Sequence, residues 1–355
     1  MPKINEQEFK KLLSSDILGG LYMIYGEEKY YVKYYADKLC EKIAGKEPDE
    51  FSFHIFKDLS NLDEIASACD IIPFNADCNC VVLKDIDIDE AFKGLRTDSG
   101  SGKELLGKIT EILKKANNET AIIISQPTVT PKAAGAQKKI TEFCEKNGTV
   151  LYIPKKSESE LIKIVLRMAK KRDCEISPNN AQSIIYRCGT DVNTLINECE
   201  KLFAYCKGRE AEADDIELII TPNPEYNVFK VAESIIYENT DTAYKILDDM
   251  FTQKQPPENI LGLISKAYCD MYRVRVAIQS GMRSTELAGK FDYTANKTFL
   301  LEKAEKNSKH ISTDALRKMI DLLYEADRKI KNTSLDKRAV LETLIAELSE
   351  AKSIY

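Results

Sequence analysis

The chain has 355 residues, of which 43% are hydrophobic and 30% are charged, and its net charge is −6. This length exceeds one ordinary core and predicts about two or three domains. The negative charge argues against a protein whose main task is to bind nucleic acid, because contacts to phosphate groups dominate such affinity.

The start of the chain and its cysteines indicate the compartment. The first 16 residues are charged throughout, so no signal peptide is predicted. No apolar run approaches the about 20 residues of a membrane-spanning helix. The ten cysteines are scattered and never spaced C-x-x-C, which predicts neither a disulfide framework nor a zinc site. We therefore expect a cytoplasmic protein with reduced thiols and no bound metal.

Strand and helix patterns alternate over the first 153 residues. The third and fourth strands are apolar on consecutive residues, as is typical of central strands, whereas the second alternates partly and is expected nearer an edge. The segments between strands are long enough for crossover helices, so an α/β domain with a parallel sheet is predicted. The five predicted strands are residues 21–25, 51–56, 80–84, 121–125 and 149–153.

The first strand is followed by Gly26, Glu27 and Glu28 and then by a helical pattern. A phosphate-binding loop at this place needs several glycines, a lysine and a Ser or Thr hydroxyl. Only one glycine is present. The two carboxylates are expected to satisfy the positive end of the helix themselves and to repel a triphosphate. The pattern predicts a nucleotide-type fold without a nucleotide site.

Residues 98–105 resemble a displaced phosphate loop, because they contain Gly102 and Lys103. However, Thr97 stands where the first glycine belongs, and Glu104 replaces the hydroxyl that binds the metal. A flexible loop is the favoured interpretation.

Asp85 and Asp87 follow the third predicted strand, as a magnesium-binding acid would. Lys84 ends that strand, however, and no lysine-serine loop accompanies it, so a solvated acidic turn is favoured. The two histidines, His54 and His310, lie far apart in sequence and have no neighbouring nucleophile pattern, which favours structural roles.

A helical pattern in the first domain ends near a proline. Phe74 follows Pro73 in a polar turn, and either Phe74 is a core residue or it is a protruding anchor for a partner. Composition favours neither interpretation, but the place of Ile72 on the helix face makes it the better core candidate. The predicted helix face consists of Leu62, Ile65, Ala66, Cys69 and Ile72.

After Pro154 only helices are predicted. Residues 192–206 are amphipathic and Asp191 is placed to cap them, while the prolines and asparagines of residues 221–227 predict a linker. Two apolar stripes follow near the end and predict two amphipathic helices joined by a short polar loop. The stripes are Leu316, Met319, Ile320, Leu323 and Ile330, and Val340, Leu341, Leu344, Ile345 and Leu348.

Five stretches carry a resemblance that runs over essentially the whole chain: "LYMIYGEEKYYVKYY", "IIPFNADCNCVVLK", "GTDVNTLINECEKLFAY", "YNVFKVAESI" and "LLYEADRKIKNTSLDKRAVLETLIAEL". In their order and spacing they resemble the delta subunits of DNA polymerase III clamp loaders. The resemblance implies an α/β AAA+-type N-terminal domain at residues 1–153, followed by two all-α domains, a helical lid at 154–222 and a helical collar for oligomerisation at 223–355. Because collar domains of this family pack side by side, the chain is expected to join other subunits through its final helices, which carry the two apolar stripes.

The same resemblance implies the function and the site. Delta subunits are not enzymes, bind no ATP or other cofactor, and open the ring of the beta sliding clamp. The clamp-binding element would be Pro73 and Phe74, flanked by Ile71 and Ile72, although many relatives carry a second aromatic where Asn75 stands. The implied partners are the clamp, the tau/gamma and delta-prime subunits, and primed DNA through the assembled complex, and the isolated chain is expected to be a monomer.

Two alternatives come from other classes of protein. An active P-loop ATPase subunit of a related loader is disfavoured because the lysine loop is absent after Gly26. A helical adaptor unrelated to replication is compatible with the C-terminal two-thirds and predicts no interaction with the clamp.

Overall fold

The computed structural model describes residues 3–15, 19–74, 76–95, 102–127, 129, 135–287, 291 and 298–354. The chain divides into two compact units, Met1–Lys155 and Lys156–Tyr355. Among the described helices, none combines the length and the apolar composition needed to cross a bilayer.

The first unit is built on a five-stranded parallel sheet in the order β2-β3-β4-β1-β5. All five predicted strands are confirmed. The second begins two residues later than predicted, and it lies at the edge as expected. The strands are β1 (Gly20–Gly26), β2 (Phe53–Phe56), β3 (Asn79–Leu83), β4 (Thr120–Pro127) and β5 (Thr149–Ile153).

Helices cover both faces of this sheet. Side chains alternate between the faces along β1, since Leu21, Met23 and Tyr25 contact one hydrophobic cluster and Tyr22 and Ile24 contact the other. The central strands β3 and β4 are buried on both faces, as their continuous apolar runs predict. The helices are α1 (Glu6–Leu13), α2 (Lys29–Ala44), α3 (Leu62–Cys69), α4 (Ile88–Leu95), α5 (Gly102–Leu113) and α6 (Gly135–Asn147).

Over its described residues the second unit is built from helices. The predicted cap of α9 is confirmed, because the Asp191 carboxylate accepts a hydrogen bond from the Thr194 N–H at 2.8 Å. The helices are α7 (Glu158–Lys171), α8 (Pro178–Cys188), α9 (Val192–Tyr205), α10 (Ala213–Ile219), α11 (Pro224–Ile236), α12 (Thr240–Thr252), α13 (Pro257–Gln279), α14 (Thr298–Ser308), α15 (Thr313–Asn332) and α16 (Lys337–Ile354), with a 3-10 turn at Ser284–Leu287.

The predicted linker at residues 221–227 is shorter than expected. Asn223 caps α11 by accepting a hydrogen bond from the Tyr226 N–H at 2.7 Å, so the helix already begins at Pro224. The same Asn223 donates its backbone N–H to the Arg187 carbonyl at 2.9 Å, which ties the break to α8. A boundary between a lid and a collar at this place stays a prediction.

The two apolar stripes near the end of the chain are not free surfaces. Their buried members all belong to one core that also contains residues of α11, α12 and α13, and Ile320 alone is half-buried. α15 and α16 therefore pack against each other and against neighbouring helices. The stripes thus belong to the core of their own unit, because a periodic apolar pattern does not specify what covers it. That the chain joins other subunits through its final helices stays a prediction.

Candidate partner-binding site

The candidate site is the segment that follows α3. This helix is capped at its start by the Asn61 side chain, which accepts a hydrogen bond from the Glu64 N–H at 3.2 Å. Ile65, Ala68 and Cys69 form its buried face and belong to the core on one side of the sheet. Because the helix is capped and packed, the segment after it begins at a fixed point of the domain.

Residues 71–74, called the anchor below, project large apolar side chains into solvent. Phe74 is 94% exposed and Ile72 is 82% exposed, while Ile71 and Pro73 are half-buried. The core interpretation of Phe74 is therefore wrong, since a side chain this exposed packs against little of its own chain. Asn75, where many relatives carry a second aromatic, lies outside the described residues.

The expectation that Ile72 continues the buried face of the helix is also wrong. α3 ends at Cys69, and the Asp70 backbone N–H bonds to the carbonyls of Ser67 and Ala68. The helix thus ends before Pro73 can act as the breaker. Ile72 lies beyond the last turn, where the 3.6-residue period no longer applies.

Sequence reasoning missed another exposed aromatic residue, Phe51, which is 76% exposed. The pattern of the run "FSFHIF" predicts strand throughout, but Phe51 and Ser52 form a turn before β2. The Ser52 carbonyl accepts a hydrogen bond from the Cys80 N–H at 2.8 Å, so this turn adjoins the start of β3. In the sequence, the only partial alternation of apolar and polar residues along this run was the signal that part of it lies outside the strand.

In the loop after β1, where a nucleotide phosphate would bind, the backbone is in contact with the end of β5. A Cβ on Gly26 would lie 2.0 Å from the carbonyl oxygen of Ile153, which explains why glycine is required there. That oxygen accepts the backbone N–H groups of Glu27 at 2.9 Å and Glu28 at 3.4 Å. Donors that would point at a phosphate in a nucleotide site are thus directed at the end of β5.

The two glutamates do not satisfy the start of α2 as expected. Glu28 is the N-cap residue and is buried, but its side chain makes no capping hydrogen bond to the helix. The Glu27 carboxylate instead accepts a hydrogen bond from the Tyr152 hydroxyl at 3.0 Å. Burial, together with the hydrogen bond to Glu27, raises the pKa of Tyr152 to about 12. Both carboxylates still lie at the positive end of the helix.

The acidic turn after β3 is engaged in ion pairs. Lys33 of α2 lies 3.1 Å from Asp85, and Lys84 lies 2.9 Å from Asp37. Asp87 accepts a hydrogen bond from the Glu90 N–H at 2.9 Å. These contacts agree with a structural role, and among the described residues no cluster of His, Cys, Asp and Glu could hold a metal ion.

The remaining candidates from the sequence are the two histidines, the displaced phosphate motif and the cysteines. His54 lies 3.2 Å from the Phe51 carbonyl oxygen, and the His310 ring lies 5.4 Å from that of Tyr237. In the displaced phosphate motif, residues 98–101 lie outside the described residues, and Gly102 begins α5. All ten cysteines are free.

Comparison with known families identifies the group to which the chain belongs. The family "DNA polymerase III, delta subunit" matches residues 22–153, and "DNA polymerase III delta subunit, C-terminal domain" matches residues 225–348. The chain belongs to the DNA polymerase III delta subunit family. It is therefore related to an accessory subunit of the replication machinery, the delta subunit of the clamp loader.

Two relatives support this assignment over nearly the full chain. The DNA polymerase III subunit delta of Bacillus subtilis (strain 168) is 19% identical over 331 residues, which is 92% of each chain. The solved structure of the Bacillus subtilis DNA clamp loader delta protein matches with a TM-score of 0.61 at 18% identity, covering 97% of this chain and 99% of that one. The shared architecture confirms the predicted fold class, an AAA+-type α/β region followed by helices.

Proposed function

We propose that this delta-family chain binds the beta sliding clamp through the anchor and holds the clamp ring open for loading onto primed DNA. The observation that carries the proposal is the 94% exposure of Phe74 at the end of a helix fixed to the sheet. Burying a phenylalanine side chain in a partner contributes about 1.5–3 kcal/mol. Aromatic residues that enter a partner pocket are frequent hot spots of binding.

The proposed action is mechanical. A ring exists in closed and open states, and a bound protein shifts their ratio only by its difference in affinity for the two. The anchor would therefore have to fit the open interface better than the closed one. No bond is made or broken in this step, which agrees with a non-catalytic subunit of the polymerase holoenzyme.

The chain is proposed to act without ATP. The closed loop at Gly26 supports this, because its backbone donors already bond to the Ile153 carbonyl. ATP would be bound and hydrolysed by tau/gamma subunits, which together with delta-prime would assemble with the collar region at residues 223–355. Since the stripes of α15 and α16 are internal, these contacts would use outer faces, where Tyr324 is exposed. We expect the isolated chain to be a cytoplasmic monomer.

The experiment is to immobilise the cognate clamp and measure binding of the purified full chain with and without ATP. The proposal expects saturable binding that does not depend on ATP. Leu218→Ala is the control variant, because Leu218 is a large apolar residue that is 69% exposed on α10. Its removal should leave the affinity unchanged. Absence of clamp binding by the folded chain would refute the proposed function.

A further inference from the structure

The last turn of α3 is held by residues from two other elements. The Ala68 carbonyl accepts a hydrogen bond from the Asn79 side chain at 2.8 Å, and Asn79 begins β3. The Ala66 carbonyl accepts one from the Lys115 ammonium at 3.0 Å, and Lys115 follows the end of α5. The last carbonyls of a helix have no partner within the helix, so these two donors complete the turn from outside.

Lys115 makes a second contact at the same place. Its ammonium lies 2.5 Å from the Asp70 carboxylate, and Asp70 is the residue that directly precedes the anchor. The Lys115 side chain therefore contacts both the last turn of α3 and the first residue after the helix. A positive charge at the negative end of a helix is favourable in addition to the two direct contacts.

We propose that Lys115 is a positioning residue for clamp binding, a role that rests on the proposed function. By holding Ala66 and Asp70, it restricts the direction in which the anchor leaves the helix. A segment that is ordered before binding loses less conformational freedom in the complex and so binds more tightly. The ion pair is substantially exposed, since 31% of the Lys115 side chain and 64% of the Asp70 side chain are accessible. Such pairs contribute little to the stability of a whole fold.

The neighbouring lysine provides a matched control. The Lys114 ammonium lies 2.7 Å from the Glu111 carboxylate, three residues earlier in its own segment. Lys114→Met and Lys115→Met remove the same charge and the same donors from adjacent positions. Lys115→Arg keeps the charge and the donors and should restore most of the function.

The first test needs no partner. Chymotrypsin cleaves after exposed aromatic residues, so cleavage of the full chain after Phe74 reports the mobility of the anchor, and cleavage after Phe51 serves as an internal reference. Lys115→Met should accelerate cleavage after Phe74 severalfold and leave cleavage after Phe51 unchanged. Lys114→Met should resemble the wild type. Equal acceleration at both sites would indicate general destabilisation and would overturn the inference.

The second test is clamp affinity. Lys115→Met should weaken binding about fivefold to tenfold, with Lys114→Met unchanged. In a Phe74→Ala background, Lys115→Met should have no further effect, because it acts through the anchor. An affinity equal to that of Lys114→Met, or a full effect without Phe74, would overturn the inference. If the wild type does not bind the clamp, the proposed function fails, and the cleavage rates alone decide whether Lys115 orders the anchor.

Discussion

Gly26 and Ile153 meet so closely at the ends of β1 and β5 that a Cβ on Gly26 would lie 2.0 Å from the Ile153 carbonyl oxygen. The same carbonyl accepts the backbone N–H groups of Glu27 and Glu28. This contact lies at the end of β1, where the sequence pattern would place a phosphate-binding loop, and it makes Gly26 important for the stability of the sheet.

We expect Gly26→Ala to destabilise the fold by about 2–4 kcal/mol, because the new methyl group must displace backbone atoms. Gly45→Ala is the control, since Gly45 also has a positive φ of 79° but no atom lies within 4 Å of its Cβ position. With its ψ of −179°, Gly45 has a conformation that strongly favours glycine, so that change should cost only the backbone strain of about 1–3 kcal/mol, without a clash added to it. Urea unfolding of both variants measures the difference, and equal losses would contradict the close contact.

The isolated chain should neither bind nor hydrolyse ATP. Tyr30→Lys, which adds a lysine at the start of α2, should not create either activity, because the loop donors remain bonded to Ile153. Binding of a fluorescent ATP analogue and release of phosphate measure the two properties. Micromolar binding, or turnover above background in a highly purified sample, would contradict this prediction.

Ile72 and Ile65 should respond differently to truncation. Ile72→Ala should change the free energy of unfolding by only about 0.5 kcal/mol, as is usual for surface positions. Ile65 is 1% exposed, and Ile65→Ala should cost about 2–5 kcal/mol. Thermal unfolding of the two variants tests the corrected end of α3. Comparable losses of stability in the two variants would show that Ile72 is a core residue.

Alkaline pH should weaken the fold partly through Tyr152. The unfolded chain releases this phenolic proton near pH 10, at about its ordinary value, whereas the folded chain retains it until about pH 12. The folded state therefore binds more protons than the unfolded state in this window, and its stability falls as the pH rises from about 10 to 12. Tyr152→Phe should reduce the slope of stability against pH in this window. An unchanged slope would show that Tyr152 titrates normally.

Local patterns were sufficient to predict much of the fold. The continuous apolar runs of β3 and β4 identified central strands, and Asp191 identified the start of α9. These signals succeed because burial on both faces and helix capping depend on residues close in sequence. The exposed position of Phe74 could not be predicted, because core and anchor residues have the same composition.

Where the sequence misled, the cause lies in contacts between distant residues. α3 ends before Pro73, and carbonyls of its last turn accept hydrogen bonds from the side chains of Asn79 and Lys115. These two residues are distant in sequence, so no local pattern predicts the contacts. Likewise, the stripes of α15 and α16 are covered by the rest of their own unit. Deleting residues 312–355 would consequently remove part of a hydrophobic core, so loss of assembly in that variant would not identify the collar contact.

The central claim is that Phe74 is an exposed anchor for the clamp, and the most direct test measures thermal unfolding and clamp affinity on the same Phe74→Ala protein. We expect its stability to stay within about 0.5 kcal/mol of the wild type. Its clamp binding should weaken by about 2 kcal/mol or more, which is about thirtyfold. A Phe74→Ala protein that binds the clamp as tightly as the wild type, or that melts early while its folded fraction binds normally, would contradict the account.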